Sequence, residues 1–214
     1  MVQSFKMFIS LDGIDGCGKS TQVEGLANRL RQLGHDVFTC RDPGSTGLGE
    51  AVRGILLNRH DLEICRTSEM LLFMAARAQM VQELILPALN SGKIVVTDRF
   101  LLSTLVYQGY AGKIAVDAIE QVGAIATAGT LPDLNFILDL PLETARGRMH
   151  HREVDRMERM GTDYHEQVRQ GFLIHAKTDP QRFVVIDATL PTDAVAEQIR
   201  EIVLAGLSFK ISKL

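Results

Sequence analysis

Short apolar runs and helical patterns alternate along the chain from end to end. Each run is brief and is followed by a stretch of helical periodicity, which is typical of a parallel sheet covered by helices on both faces. A helix is predicted after the first run and should end near Leu33, because glycine, here Gly34, commonly follows a helix C-terminus. The pattern predicts an α/β fold with a five-stranded parallel sheet. The predicted strands are Met7–Leu11, Asp36–Cys40, Lys93–Asp98, Asn135–Asp139 and Phe183–Asp187.

One stretch, residues 146–160, departs from this alternation because it is dense in charge. Arg148, Arg152 and Arg156 recur every four residues, so they would share one face if the stretch were helical. Two interpretations remain open. The stretch is either a charged surface helix or an arginine-rich lid that closes over phosphates.

The composition is that of an ordinary globular protein, with 46% apolar and 23% charged residues among 214. We predict one domain over residues 1–214, with the lid as a short segment at about 146–160. No apolar run reaches the ~18 residues that span a bilayer. The formal net charge of −3 favours neither nucleic acid nor a membrane surface as a partner. Cys17, Cys40 and Cys65 form no CxxC pair, so we expect free thiols and a cytoplasmic location.

Residues 13–20 read Gly-Ile-Asp-Gly-Cys-Gly-Lys-Ser and match the pattern GxxxxGK[ST] at a strand-to-helix junction. The glycines let successive N–H groups turn inward as a cradle for phosphate oxygens, and the helix N-terminus adds positive charge. Lys19 is predicted to reach the β- and γ-phosphates of ATP, and the Ser20 hydroxyl to ligate Mg²⁺. The predicted ATP-binding residues are Gly13, Ile14, Asp15, Gly16, Cys17, Gly18, Lys19, Ser20 and Thr21.

Asp98 and Arg99 end the third predicted strand. In open α/β sheets, ligands bind at the carboxyl edge of the strands, so the Asp98 carboxylate is predicted to hold Mg²⁺ together with Ser20. Capping of the next helix is the alternative role for Asp98. Arg99 would enter the same crevice, where its planar guanidinium suits a phosphate group.

The phosphate-binding loop does not identify the acceptor, because switches, motors and small-molecule kinases all contain one. The chain has no Asn/Thr-Lys-x-Asp motif of the kind that recognises guanine. Its length and its regular alternation of strands and helices favour a small-molecule kinase.

Five collinear segments resemble the thymidylate kinase family, from about residue 7 to residue 190. Residues 41–46, Arg-Asp-Pro-Gly-Ser-Thr, are similar to the family's Arg-Glu-Pro-Gly-Gly-Thr, and residues 72–79 to its Leu-Phe-x-Ala-x-Arg-x-Gln helix. Residues 98–109 resemble its Asp-Arg-Tyr/His…Tyr-Gln-Gly segment, residues 131–139 its Pro-Asp-Leu-Thr…Leu-Asp strand, and residues 155–158, Asp-Arg-Met-Glu, its lid sequence.

The resemblance implies a P-loop nucleoside monophosphate kinase fold and transfer of the γ-phosphate of ATP to dTMP. Phe73 would stack on thymine, Tyr107 would lie against the deoxyribose, and Arg77, Thr104 and Gln108 would read the base edge. Arg53 and Arg99 would hold the acceptor phosphate. The predicted substrate-binding residues are Arg41, Asp42, Arg53, Phe73, Arg77, Arg99, Thr104, Tyr107 and Gln108. A homodimer is also implied, with residues 71–81 and 115–126 as candidate contacts.

The resemblance also implies which arginines neutralise the charge on the transferred phosphoryl group. One branch of the family carries an arginine in the P-loop where this chain has Gly16, so the lid should supply it here, first from Arg156 and Arg152 and then from Arg148. The predicted catalytic residues are Lys19, Asp15, Arg99, Arg156 and Arg152.

Three positions depart from the family pattern: Asp42 replaces glutamate, Ser45 replaces glycine, and Leu101 and Leu102 stand where relatives carry an aspartate. The two leucines keep open a kinase for another nucleotide. A P-loop protein that binds nucleotide without transferring phosphate is the alternative from a different class, and the lid arginines count against it.

Overall fold

The computed structural model of the chain describes residues 6–149 and 155–211, without the side chains of residues 209–211. Its strands are β1 (Met7–Asp12), β2 (Val37–Arg41), β3 (Ile94–Asp98), β4 (Leu134–Asp139) and β5 (Phe183–Asp187). They form one parallel sheet of five strands in the order β2-β3-β1-β4-β5. The predicted α/β fold and all five predicted strands are confirmed, with ends that differ by one residue at most.

Helices follow every strand of this sheet. Two π-helical segments, Val81–Ile85 and Leu105–Ala111, continue α3 and α5. None of the helices in the described ranges is both long and apolar enough to cross a membrane. The helices are α1 (Lys19–Gln32), α2 (Gly47–Asn58), α3 (Arg66–Met80), α4 (Leu86–Asn90), α5 (Leu101–Thr104), α6 (Val116–Ala126), α7 (Leu142–Met149), α8 (Thr162–Ala176) and α9 (Thr192–Ile211).

The end of α1 agrees with the sequence prediction. Gly34 has φ 88°, in the left-handed region, and its N–H donates to the Arg31 carbonyl oxygen at 2.9 Å. The N–H of His35 reaches back to the Leu30 carbonyl oxygen at 3.1 Å. This pattern satisfies carbonyl groups that the end of a helix leaves unpaired, and glycine adopts the required φ without strain.

The sheet is buried on both faces. Met7, Ile9 and Leu11 of β1 belong to one buried apolar cluster, and Phe8 belongs to a second. Successive side chains of a strand point to opposite faces, so the two clusters lie on opposite sides of the sheet. The near-continuous apolar composition of β1 follows from this double burial.

The carboxyl ends of the strands place the chemically active residues along one edge. The P-loop, residues 13–20, joins the end of β1 to α1. Asp98, the last residue of β3, is in register with Leu11 of β1 on one side and with Arg41 of β2 on the other. The general geometry of open α/β sheets puts the ligand crevice at this edge.

The arrangement of the lid differs from a single arginine-bearing helix. Arg148 lies in α7 (Leu142–Met149), whereas Arg156 lies in the turns that residues 155–160 form. Arg148 and Arg156 therefore do not share one helical face. Arg152, a predicted catalytic residue, lies outside the described residues.

Candidate active site

The P-loop closes tightly around its own lysine. Lys19 is 6% exposed, and its Nζ donates to the carbonyl oxygens of Gly13 at 3.2 Å and Ile14 at 2.9 Å. Gly13 has φ 141°, and a Cβ there would lie 2.7 Å from the Leu138 carbonyl oxygen of β4. Glycine is therefore required at the start of the loop, both for its torsion and for the close approach of β4. The loop holds a cation at the N-terminus of α1, as phosphate binding requires.

Ser20 and Asp98 lie together at the mouth of this loop. The Ser20 hydroxyl donates to Asp98 Oδ2 at 2.6 Å, although the residues are 78 positions apart. A hydroxyl and a carboxylate are hard oxygen donors, which suit Mg²⁺ when substrate phosphates and water complete its coordination. Both predicted magnesium ligands thus meet in one place with suitable chemistry.

Arg99 lies beside the P-loop and contacts residues of both the P-loop and the segment that follows β3. Its guanidinium donates to the Gly13 carbonyl oxygen at 2.8 Å and to Asp15 Oδ1 at 2.6 Å. It also donates to Ser103 Oγ at 3.0 Å and lies over the Tyr107 ring, 5.2 Å from its centroid. Burial raises the pKa of Tyr107, so its hydroxyl stays protonated beside this cation. These contacts hold the Arg99 guanidinium between the P-loop and the Ser103–Tyr107 segment.

Asp12 is connected to Arg99 through the Ser103 hydroxyl. Asp12 was not singled out in the sequence analysis. Ser103 donates to Asp12 Oδ1 at 2.6 Å, and Ser10 donates to Oδ2 at 3.1 Å. Burial raises the pKa of Asp12, while these hydroxyl bonds and the charge of Arg99 oppose the rise. Its position directly before Gly13, at the carboxyl end of β1, was the available sequence signal.

A second depression, which we call the inner pocket, opens beside the P-loop. Eight of the nine predicted substrate-binding residues line it; the exception is Arg41, which lines the P-loop side and pairs with Glu50 at 2.9 Å. The inner pocket is lined by Asp15, Asp42, Pro43, Arg53, Leu57, Phe73, Arg77, Arg99, Ser103, Thr104, Tyr107, Gln108, Asp155 and Met157.

Arg77 is almost fully buried in the inner pocket, with 1% exposure. Its Nε donates to Asp42 Oδ2 at 2.5 Å and its Nη2 to Thr104 Oγ1 at 2.9 Å. The charge-assisted bond to Asp42 compensates the guanidinium and fixes its plane. The aspartate that replaces the family's glutamate therefore still reaches its arginine.

Arg53 lies at the other end of the inner pocket, towards the P-loop. It donates to the Pro43 carbonyl oxygen at 3.0 Å and is half-buried. Its pKa is lowered, first by burial and then by the nearby Arg41 cation. An anion bound here would relieve both effects, which fits a phosphate site shared with Arg99.

Glu69 was also missed, although its spacing of four from Phe73 and of eight from Arg77 puts all three on one face of α3. Glu69 is 0% exposed. It accepts a hydrogen bond from Gln108 Nε2 at 2.8 Å and another from Arg156 Nη2.

Of the three predicted lid arginines, the structure describes Arg148 and Arg156, which lie in different places. Arg156 pairs with Glu69 and donates to the Leu56 carbonyl oxygen at 2.8 Å, so its guanidinium is anchored at α2 and α3. Arg148 lines the cleft above the P-loop, together with Gly16 and Lys19, and donates to the Ala188 carbonyl oxygen at 3.0 Å. Helix α7 packs on the P-loop at Gly16. The expected order of the catalytic lid arginines, Arg156 and Arg152 before Arg148, stays a prediction.

Leu101 and Leu102 do not enter the inner pocket. Both are buried and each belongs to an apolar cluster, Leu101 against Gly123 of α6. Their replacement of an aspartate therefore changes the packing behind α5 and leaves the lining of the inner pocket to Ser103 and Thr104.

Comparison with known proteins accords with this geometry. A family model described as thymidylate kinase matches residues 11–199. The chain belongs to the thymidylate kinase family. The thymidylate kinase of Thermoanaerobacter sp. (strain X514) is 44% identical over 92% of this chain and 96% of the relative. That of Rhodopirellula baltica is 46% identical over 92% of this chain and 79% of the relative. The crystal structure of thymidylate kinase from Ehrlichia chaffeensis superposes with a TM-score of 0.76 at 32% identity, covering 93% of this chain and 99% of that one.

Membership of the thymidylate kinase family confirms the resemblance that the five sequence segments indicated. The roles of individual residues remain predictions, which the contacts described above make specific.

Proposed function

We propose that the chain is a dTMP kinase, which transfers the γ-phosphoryl group of ATP to dTMP and yields dTDP and ADP for the synthesis of dTTP. Residues 1–214 act as one kinase domain with its lid at about 146–160. The observation that carries the proposal is the junction at Arg99, whose guanidinium contacts the P-loop at Gly13 and Asp15 and also lines the inner pocket. A donor phosphate and an acceptor phosphate would meet there.

On the donor side, the P-loop binds the ATP phosphates. Its backbone N–H groups and the N-terminus of α1 face the phosphate oxygens, and Lys19 moves from the loop carbonyls to the β- and γ-phosphates. Arg148, above the P-loop, adds positive charge as the transferred group becomes electron-rich.

Ser20 and Asp98 would hold Mg²⁺ through the oxygens that lie 2.6 Å apart. Bound there, the ion would neutralise charge on the β- and γ-phosphates. Among the described residues, no cluster of three or more His, Cys, Asp or Glu could hold a metal. A site of one hydroxyl, one carboxylate and substrate oxygens is typical of Mg²⁺ in phosphoryl transfer.

On the acceptor side, Arg53 and Arg99 hold the dTMP phosphate while Phe73 stacks on the base and Tyr107 lies against the sugar. An oxygen of the dTMP phosphate forms the new bond to the γ-phosphorus, and the bond to the β-phosphate oxygen of ATP breaks. The nucleophile is already anionic, so no strong base is needed and catalysis consists of positioning and charge neutralisation.

We further propose a homodimer in the cytoplasm. Helix α3 packs against α2 and α6, and these helices carry exposed large apolar side chains, at Leu48, Ile55, Leu71 and Ile125. Such a patch marks an interaction surface. The free thiols of Cys17, Cys40 and Cys65 suit a reducing compartment.

The test is a coupled ADP-release assay with Mg²⁺-ATP and dTMP, dUMP, UMP, dCMP, AMP, GMP or no acceptor. Fast release with dTMP far ahead of the others supports the proposal. Lys19→Met should abolish that release, whereas Lys177→Met, which removes an exposed charge on the surface, should not. Equal slow release with and without acceptor would overturn the kinase reaction, and preference for another acceptor would overturn the assignment of the base.

A further inference from the structure

A buried carboxylate lies behind Gln108, one of the residues that line the inner pocket, and has a defined set of partners. Glu69 is fully buried in the first turn of α3. Its Oε1 accepts from Gln108 Nε2 at 2.8 Å and lies 3.5 Å from Arg66 Nη1, and its Oε2 accepts from Arg156. Its partners are therefore two arginines and one neutral amide, all of which present N–H donors to it.

The contact with Glu69 determines which way the Gln108 amide points. Both oxygens of Glu69 accept hydrogen bonds, so the NH₂ group of Gln108 faces this carboxylate and the carbonyl oxygen turns away. With the amide reversed, two buried acceptors would face each other without a proton between them. Gln108 is 1% exposed and lines the inner pocket, so this orientation leaves its carbonyl oxygen as the acceptor that it can offer to a ligand.

The neighbours of Gln108 present the opposite polarity. Arg77 is a donor only, and Arg77 Nη2 donates to Thr104 Oγ1 at 2.9 Å. The Thr104 hydroxyl therefore accepts from Arg77 and keeps its own proton for a ligand acceptor. This wall of the inner pocket offers donors from Arg77 and Thr104 beside an acceptor from Gln108.

Thymine and uracil match this arrangement, because their O4 is an acceptor and their N3–H is a donor. Cytosine has the reverse pattern, with an amino donor at C4 and an unprotonated N3. We infer that Glu69 is a positioning residue for base selection: it holds the Gln108 amide so that the inner pocket accepts a pyrimidine with an N3–H and rejects one without it. This inference rests on the proposed function and specifies its acceptor site.

The test measures equilibrium affinities by calorimetry for dTMP, dUMP and dCMP, so it does not depend on turnover. Glu69→Gln replaces the carboxylate with an amide that both donates and accepts hydrogen bonds. The Gln108 amide can then pair with it in either of its two orientations. The ratio of dTMP affinity to dCMP affinity should fall about tenfold or more, the worth of one charge-assisted hydrogen bond. The ratio of dTMP to dUMP should not change, because both bases carry O4 and N3–H.

Glu83→Gln is the matched control. It alters a Gln–Glu pair of the same kind, in which Gln79 Nε2 donates to Glu83 Oε2 at 2.8 Å, on the exposed surface. Both affinity ratios should stay at their wild-type values. An unchanged ratio of dTMP to dCMP in folded Glu69→Gln, or an equal loss for all three nucleotides, would overturn the inference.

A second measurement uses the wild-type protein and covers the case in which Glu69→Gln does not fold. In ¹⁵N-labelled protein, the side-chain NH₂ of Gln108 should exchange slowly with solvent, both alone and with dTMP. Fast exchange, or a contact of that NH₂ with the thymine ring, would overturn the inference.

The two proposals fail in different ways. Nucleotides that bind with the expected selectivity but receive no phosphate would overturn the proposed reaction alone. A wild-type protein that phosphorylates dCMP as well as dTMP would overturn the role of Glu69 and leave the kinase reaction intact.

Discussion

The proposed contact of Ser20 with Mg²⁺ beside Asp98 can be tested with one substitution. Ser20→Cys should lower dTMP-dependent activity with Mg²⁺ by about 10–100-fold, because a sulfur ligand is too soft for this ion. Mn²⁺ tolerates sulfur better and should restore part of the loss. The readout is the ratio of activities with Mn²⁺ and Mg²⁺. Thr21→Cys, next along the P-loop, should keep the wild-type ratio. Equal activity of Ser20→Cys with both ions would contradict a direct metal contact at this position.

Asp42 has a structural task in addition to its place in the inner pocket. It is 3% exposed and accepts from the equally buried Arg77. Asp42→Ala would leave that guanidinium buried without its counter-charge, so we expect a loss of about 3–5 kcal/mol in the free energy of unfolding. Urea denaturation measures it. Asp61→Ala, which breaks the exposed pair with Arg59, should leave the unfolding midpoint unchanged. A small loss at Asp42 would mean that Arg77 finds another partner or access to water.

Single residues also show what a sequence can and cannot reveal about a site. The P-loop was predictable because its residues are contiguous and their roles follow from spacing. Glu69 and Gln108 are 39 positions apart, so no local pattern joins them. The contact of Arg156 with Glu69 was not predictable either, because the two residues are 87 positions apart.

At the scale of elements, the strands were the most predictable part of the chain. A strand buried on both faces must be almost wholly apolar, and that composition is visible in the sequence. The lid was less predictable. Its arginines have helical spacing, but Arg148 lies in α7 (Leu142–Met149) and Arg156 lies in the turns of residues 155–160. Spacing specifies a shared face only where the helix continues.

Helix α7 packs so closely on the P-loop at Gly16 that no side chain fits between them. Gly16 has φ 79°, and a Cβ there would lie 2.8 Å from the Ala145 carbonyl oxygen and 3.0 Å from Met149 Cγ. An arginine at this position of the P-loop would meet α7 in the same way, which is consistent with the prediction that the lid supplies the positive charge.

Alanine substitutions at Gly16 and at Gly18 separate the energetic effect of the contact with α7 from the effect of the backbone torsion. Gly18 has φ 97°, and a Cβ added there would meet none of the described residues within 4 Å. Gly16→Ala and Gly18→Ala both incur a left-handed torsion of about 1–2 kcal/mol. Gly16→Ala should lose at least about 1 kcal/mol more, because α7 must also move. Urea denaturation of both variants measures the difference. Equal losses would show that α7 yields freely at this point.

At the scale of the whole molecule, α3 joins two surfaces. Leu71 is 49% exposed on its outer side, while Phe73 and Arg77 line the inner pocket from the same helix. Ile125, on the adjacent α6, is 82% exposed. A partner subunit on α3 and α6 would cover these apolar side chains and brace the helix that lines the inner pocket.

Ile125→Glu should therefore separate the proposed homodimer. Light scattering coupled to size exclusion should give twice the 23.6 kDa chain mass for the wild type and the single mass for the variant, because a buried, unpaired carboxylate disfavours association. Ile174→Glu, a similar change at a side chain 50% exposed on α8, should remain dimeric. A monomeric wild type would contradict the homodimer, and a dimeric Ile125→Glu would contradict this surface. If α3 is braced as argued, the monomer should show a higher KM for dTMP with little change in KM for ATP, since the P-loop is anchored by β1 and α1 instead.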